Sequence, residues 1–329
     1  MKLPDHEIKK IAIFRALQLG DMLCIIPAMR ALRYAYPSAH ITLLGLPWGK
    51  SFTERFSSYF DDFIHFPGFP GLPEQPFNAK ETVDFLAGIQ GKFDLLLQMQ
   101  GNGTVINPIM ELFGASYTGG FYTLGDFAGN QDYYMPYPNF GPEPERHLLL
   151  MEHLGITAHG NDLEFPLTEK DYADFEKLQL PIEPGKYVCI HPGSRGSWRQ
   201  WPTAHFAALA DYCAEQGYKV VITGTKEEAP IINEVMSHMK HPAIDTAGIT
   251  TLGAVGVLIK NARALVSNCT GVSHMAAAFK TPSIVISMDG EPERWGPINK
   301  NIHYTINWLE EPGFDYVYSK TVELLQQQG

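Results

Sequence analysis

The sequence predicts an α/β protein built from two Rossmann-like, doubly wound domains that face an interdomain cleft. Three observations point there. The chain has 329 residues, enough for two domains of ordinary size. Short β-branched runs alternate with longer segments of helical period in both halves. A proline-rich stretch lies between the halves and reads as a linker.

In the first half, Ile11 to Arg15 reads as a strand, Asp21 to Tyr36 as an amphipathic helix, Ile41 to Leu44 as a strand and Trp48 to Phe60 as helical. Phe93 to Met99, Val105 to Phe113 and Tyr117 to Phe121 continue the alternation, which implies a mostly parallel sheet covered by helices on both faces. This domain is expected to span residues 1–165. Prolines 136, 138, 142, 144, 166, 181 and 184 then crowd the chain around a helix at Arg146 to Leu154, giving a linker at 166–186. Alternation restarts with Tyr187 to Ile190, Ala204 to Gln216, Lys219 to Thr223, Ala229 to Lys240, Leu252 to Lys260, Ala264 to Ser267, Gly271 to Phe279 and Ser283 to Ser287. The second domain therefore covers 187–310. A closing helix at Tyr316 to Gln327, within 311–329, is expected to pack back on the N-terminal domain.

Composition narrows the function classes. No apolar run reaches the ~18 residues of a membrane-spanning helix, because Arg15 and Asp21 interrupt the most apolar N-terminal stretch. Lys2, Lys9 and Lys10 are not followed by the apolar core and cleavage site of a signal peptide, so a cytoplasmic protein is expected, with at most peripheral membrane contact at the cytoplasmic face of the inner membrane. Cys24, Cys189, Cys213 and Cys269 occur singly, as reduced thiols do. Net charge is -11, and residues 1–165 hold 11 Lys and Arg against 18 Asp and Glu, leaving 14 against 18 beyond. Such a surface repels phosphate polymers, which argues against nucleic-acid binding.

In open α/β sheets, ligands bind beyond the carboxyl ends of the strands. Gly20 and Asp21 follow the first strand; Gly20 permits a tight turn, and Asp21 is either a carboxylate facing the cleft or a helix N-cap. His191 to Pro202 combines glycines, hydroxyls and arginines, including Ser194 and Arg199, and reads either as a phosphate-binding loop or as a solvated loop with Trp201-Pro202 stapling the next helix. His191 itself reads as a packed strand-end residue. Glu227 and Glu228 suit either ribose hydroxyls or the first turn of a helix. Cys269, Thr270, Gly271, Val272, Ser273 and His274 open an alanine-rich helix whose free amides suit a diphosphate, or which is simply capped and packed. Asp289 supplies another carboxylate at a strand end. A nicotinamide enzyme would want G-x-G-x-x-G after the first strand, and that spacing is absent.

Leu19-Gly20-Asp21 with Ile26 to Leu32, Leu97 to Gly101, His191 to Ser194, Arg199 to Pro202, Thr270 to His274 and Arg294 to Pro297 form an ordered series. The series spans nearly the whole chain and resembles glycosyltransferase family 9, the ADP-heptose:lipopolysaccharide heptosyltransferases. The resemblance implies GT-B architecture and inverting, metal-independent transfer with no cofactor. The N-terminal domain would take a saccharide or glycolipid acceptor, and the C-terminal domain a nucleotide sugar such as ADP-heptose. It assigns Asp21 as general base, with Gly20 and Gln100 on the acceptor side. Arg199 stands where the family usually has lysine and would hold the donor diphosphate with Ser194 and the amides of Thr270 to Val272, while Glu227 or Glu228 would reach the ribose.

Three departures accompany the match. Ala16-Leu17-Gln18 replaces serines, the acidic N-terminal half is an unexpected surface for anionic acceptors, and Cys269 stands where the family has aspartate, with Asp289 as the expected compensating carboxylate. They imply a changed donor sugar or a less anionic acceptor. A non-catalytic sugar-nucleotide-binding protein and a sugar-nucleotide epimerase of the same architecture are the alternatives, and Cys269 as a nucleophile lacks a neighbouring base.

Overall fold

The computed structural model describes residues 3–4 and 7–326. Lys2, and Gln327 of the expected closing helix, lie outside the described residues. The chain divides into two compact units, Met1–Asn161 and Asp162–Gly329, close to the boundary expected at 165.

The first unit contains β1 (Lys10–Phe14), α1 (Leu19–Cys24), α2 (Ile26–Ala35), β2 (His40–Gly45), α3 (Gly49–Arg55), β3 (Asp62–His65), α4 (Ala79–Ile89), β4 (Leu95–Gln98), α5 (Asn107–Met110), β5 (Tyr117–Tyr122), β6 (Tyr134–Pro136) and α6 (Glu143–His153). Its sheet is parallel throughout, with strand order β3-β2-β1-β4-β5-β6. Ile11, Ala12, Ile13 and Phe14 of β1 are fully buried, as a central strand covered on both faces requires.

The second unit contains α7 (Glu169–Glu176), β7 (Tyr187–His191), α8 (Thr203–Glu215), β8 (Lys219–Ile222), α9 (Ala229–His238), β9 (Ile244–Asp245), α10 (Leu252–Asn261), β10 (Ala264–Asn268), α11 (Gly271–Phe279), β11 (Ser283–Ser287), α12 (Pro292–Trp295), β12 (His303–Asn307) and α13 (Phe314–Gln326). Its sheet is again all parallel, ordered β12-β11-β10-β7-β8-β9. Counted from its own first strand, this is the order of the first sheet. In each sheet the order reverses beside the first strand, between β1 and β4 and between β7 and β10.

Several sequence expectations change. The helix expected over Asp21 to Tyr36 is two helices, because Pro27 has no N–H with which to continue the ladder. The expected linker holds α7, started by a capping box in which the Thr168 hydroxyl accepts from the Asp171 amide and the Asp171 carboxylate accepts from the Thr168 amide. The closing helix, expected on the N-terminal domain, packs within the second unit. Val317, Leu324 and Leu325 of α13 join the core formed by Val188, Val266 and Ile286, since this face finds its apolar surface on its own sheet. Among the described residues, no helix is long and apolar enough to cross a membrane.

Candidate functional site

The sequence-derived site residues fall into two groups, one in each unit: Gly20, Asp21 and Gln100 follow β1 and β4, and Ser194, Arg199 and Cys269 to His274 follow β7 and β10, the strands that flank each reversal and leave room for a ligand, while Glu227, Glu228 and Asp289 follow the neighbouring β8 and β11.

In the first unit, Asp21 is half-buried in the first turn of α1. The N-cap position belongs to Gln18, which makes no side-chain capping bond, so the expected N-cap role of Asp21 is corrected. Asp21 is instead an acidic residue of the first helical turn, one residue after Gly20. Gln100, just beyond β4, is buried, and its side-chain oxygen accepts from the Ala16 amide at 2.7 Å. That bond ties the turn after β1 to the turn after β4.

Beneath these turns lies Arg15, 1% exposed. Its Nε donates to the Asp21 carbonyl at 3.0 Å, and its Nη1 donates to the Met99 carbonyl. Glu143, at the start of α6, faces it at 4.0 Å.

In the second unit, β7 runs into a loop that is held from below by Asn268. The Asn268 amide nitrogen donates to the carbonyls of Pro192, at 2.7 Å, and Gly193, and its oxygen accepts from the Trp201 amide at 2.9 Å. Trp201 is buried among Phe206, Trp308 and Phe314, so the staple expected of Trp201-Pro202 fixes the far end of the loop. Between these anchors, the Ser194 hydroxyl oxygen is buried and has no hydrogen-bond partner among the described residues. A buried hydroxyl without a partner costs roughly 1–3 kcal/mol, and a ligand atom bonding to it recovers that.

Two residues beyond Asn268, Thr270 begins α11, with Gly271 and Val272 as its first helical residues. First-turn amides have no preceding helix carbonyl to bond and present partial positive charge. The Thr270 carbonyl accepts from both the Ser273 hydroxyl, at 2.6 Å, and the Ser273 amide. Ser273 therefore caps inward and is not presented to a ligand. His274 is buried in the helix.

Arg199 pairs with Asp289, which also accepts from the Ser287 hydroxyl at 2.7 Å. Burial raises the Asp289 carboxyl, but Ser287 and the Arg199 guanidinium outweigh it and hold the group below the usual carboxylate range. Cys269 is buried, and burial pushes its thiol up to about 12, with Asp289 adding to the rise. Burial therefore favours the protonated thiol at neutral pH, which argues against the nucleophile alternative.

Glu227 is exposed, whereas Glu228 accepts from the Thr225 amide at 2.8 Å and closes a capping box before α9. Glu228 also lies against the backbone of Gly193; any side chain there would collide with its carboxylate. The first-turn reading of Glu228 is thus correct, and the same carboxylate sits beside the β7 loop. His191 is packed, with its Nδ1 3.0 Å from the Thr223 hydroxyl. Burial lowers its pKa, and Glu228 and Thr223 only partly oppose that.

Sequence reasoning missed Arg15, Glu143 and Asn268. A lone arginine ending the apolar run Ile11 to Phe14 was an available signal, because a cation in a buried strand needs partners. Nothing local marked Glu143.

Residues 144–323 match the family described as glycosyltransferase family 9 (heptosyltransferase). Lipooligosaccharide heptosyltransferase 2 of Haemophilus ducreyi is 32% identical over 312 residues, covering 88% of this chain and 86% of that protein. The crystal structure of a family 9 glycosyl transferase from Veillonella parvula matches with a TM-score of 0.79 at 18% identity, over 97% of this chain and 98% of that one. The ADP-heptose heptosyltransferase II of Escherichia coli matches with a TM-score of 0.76 at 19% identity, over 98% and 99%. At those identities the two structures speak to the fold, which is the GT-B type that the sequence predicted. With the family match across more than half of the chain and a relative aligned along most of it, the chain belongs to glycosyltransferase family 9 and is a glycosyltransferase.

Proposed function

We propose that the protein transfers heptose, or a closely related sugar, from ADP-heptose to a saccharide acceptor of the lipooligosaccharide or lipopolysaccharide core, by an inverting reaction that needs no metal. The carrying observation is the anion-ready reversal point of the second sheet. There a buried Ser194 hydroxyl, without a hydrogen-bond partner among the described residues, lies in a loop pinned by Asn268, which is two residues ahead of the N-terminus of α11. The relative at 32% identity, a lipooligosaccharide heptosyltransferase, supports the choice of donor sugar and acceptor class.

The mechanism follows from charge flow. The acceptor hydroxyl must lose a proton as it attacks the anomeric carbon, and Asp21 accepts it as general base. The departing nucleoside diphosphate gains negative charge. Arg199, the Ser194 hydroxyl and the first-turn amides of α11 stabilise that charge electrostatically, in place of a metal. Arg199 must exchange Asp289 for phosphate when the donor binds, so Asp289 holds the guanidinium oriented until then. A single displacement by the acceptor inverts the anomeric centre. Glu228, beside Gly193, is the better placed of the two glutamates for a ribose hydroxyl.

The test incubates ADP-heptose with core oligosaccharides lacking terminal heptose, in excess chelator, and follows ADP release together with the anomeric configuration of the product. Transfer with inversion under chelation is expected. ADP release that requires added divalent metal, or product of retained configuration, would overturn the mechanism; no transfer to any core acceptor would overturn the acceptor class.

A further inference from the structure

Arg15 carries a full charge in a site that is 1% exposed, and taking a charge out of water costs several kcal/mol unless partners compensate. Its partners come from three separate parts of the chain. Nε donates to the Asp21 carbonyl in α1 at 3.0 Å, Nη1 donates to the Met99 carbonyl beyond β4, and Nη2 faces Glu143 Oε1 at 4.0 Å. The helix breaks before Pro27, and the Ile25 amide turns back to the Met22 carbonyl at 3.4 Å and not to that of Asp21, so Arg15 takes the place of the helix donor.

Glu143 is held in turn. Its carboxylate accepts from the Tyr137 hydroxyl at 2.8 Å and lies 3.9 Å from Arg146 and 3.4 Å from His147. It is also the first residue of α6, where the helix dipole favours a negative charge.

We propose that Arg15 is a positioning residue for transfer, fixing the main chain that presents Asp21, with Glu143 fixing Arg15. The proposal rests on the reading of Asp21 as general base. A rigid fork suits the task, because guanidinium donates in fixed directions to two carbonyls while its third nitrogen faces a carboxylate at ion-pair distance, whereas lysine is a single flexible point charge. Displacing a reacting group by as little as 1 Å can cost on the order of a hundredfold in rate.

The test is a double-mutant cycle on the full chain with Arg15→Met, Asp21→Asn and the double variant, reading kcat for transfer alongside donor affinity by calorimetry. Arg15→Met is expected to lower kcat by about 10- to 100-fold while donor affinity stays within about twofold. In the Asp21→Asn background the same change should cost less than about threefold, because both residues act through one group. A further loss in that background as large as in wild type overturns the proposal, since it would mean a general structural role. Asp21→Asn at the wild-type rate removes the base assignment, and this proposal falls with it; the single variant alone identifies that case. Should Arg15→Met fail to fold, Arg15→Lys goes through the same cycle. It keeps the charge and loses the fork, so full activity would overturn the proposal.

Discussion

The two units use one strand order for opposite chemistry. At the reversal point of the first sheet, charge lies below the surface. Arg15 and Glu143 are buried, bonded to carbonyls and side chains, and hold the half-buried Asp21 from behind. At the reversal point of the second sheet, the loop rests on a neutral amide, and an ion pair, Arg199 with the buried carboxylate of Asp289, stands beside it. Asn268 organises the loop, burial pushes the Cys269 thiol up, and the Ser194 hydroxyl has no hydrogen-bond partner among the described residues. The comparison teaches that the same topology can present a fixed carboxylate or receive an anion, depending on whether the cation is sealed beneath the loops, as Arg15 is, or part-exposed among them, as Arg199 is. A buried ionic layer resists movement; a part-exposed arginine can trade one carboxylate for an incoming phosphate.

The comparison breaks most sharply at Asp21. Asp21→Asn should reduce kcat by roughly 10²- to 10⁴-fold, the usual contribution of a general base, with donor affinity unchanged. Weakened donor binding in that variant would show that the units do not divide the labour in this way.

A second prediction uses acid. Burial, with Lys300 adding to it, lowers His303 from 6.5 to about 4, and its Nδ1 lies 2.8 Å from the Ser283 hydroxyl. The folded state therefore holds His303 neutral where the unfolded chain would protonate it. Stability contributed by the neutral form is complete above pH ~6.5 and is lost as pH falls toward ~4, on the order of 3 kcal/mol in all. Four of the five tryptophans, Trp198, Trp201, Trp295 and Trp308, lie in the second unit, so tryptophan fluorescence in urea titrations across that window, with Trp48 of the first unit replaced by Phe, reads the loss there. His303→Gln should flatten the dependence; an unchanged slope would assign acid sensitivity elsewhere.

Arg199→Ala should weaken donor binding by about 10- to 100-fold, the worth of a charge-assisted hydrogen bond, measured by calorimetry with ADP and ADP-heptose. The ionic layer of the first unit should be indifferent to that change. The smallest effect is expected at Cys269. Because its thiol is buried and protonated, Cys269→Ser should keep transfer within about threefold, as a non-nucleophilic thiol allows. A complete loss would restore the nucleophile reading.

Much of this was legible in the sequence, and the reasons are physical. Period-two and period-3.6 patterns report burial directly, so β1, β2, β7, β10 and β11 and the doubled α/β architecture could be read from residues alone. Less regular elements were not legible. β9 has two residues, and α7 sits in a proline-rich stretch; a capping box made it a helix where average composition suggested a linker. Gly20, Asp21, Ser194 and Thr270 could be picked out because glycines, hydroxyls and carboxylates directly after strands stand out against apolar runs.

What the sequence determined by itself is therefore local: which segments are strands, which loops follow them and what chemistry those loops carry. Tertiary structure alone decided which of those groups meet. It spent the Ser273 hydroxyl on a helix turn, used Glu228 as a cap, and paired Arg199 with Asp289 across 90 residues of sequence. It also set Arg15 against Met99 and Glu143, which lie 84 and more residues away. Hydrogen bonds and ion pairs act over a few ångströms in space, with no regard for separation along the chain. A sequence reading can name the donors and acceptors, but only the folded chain matches them.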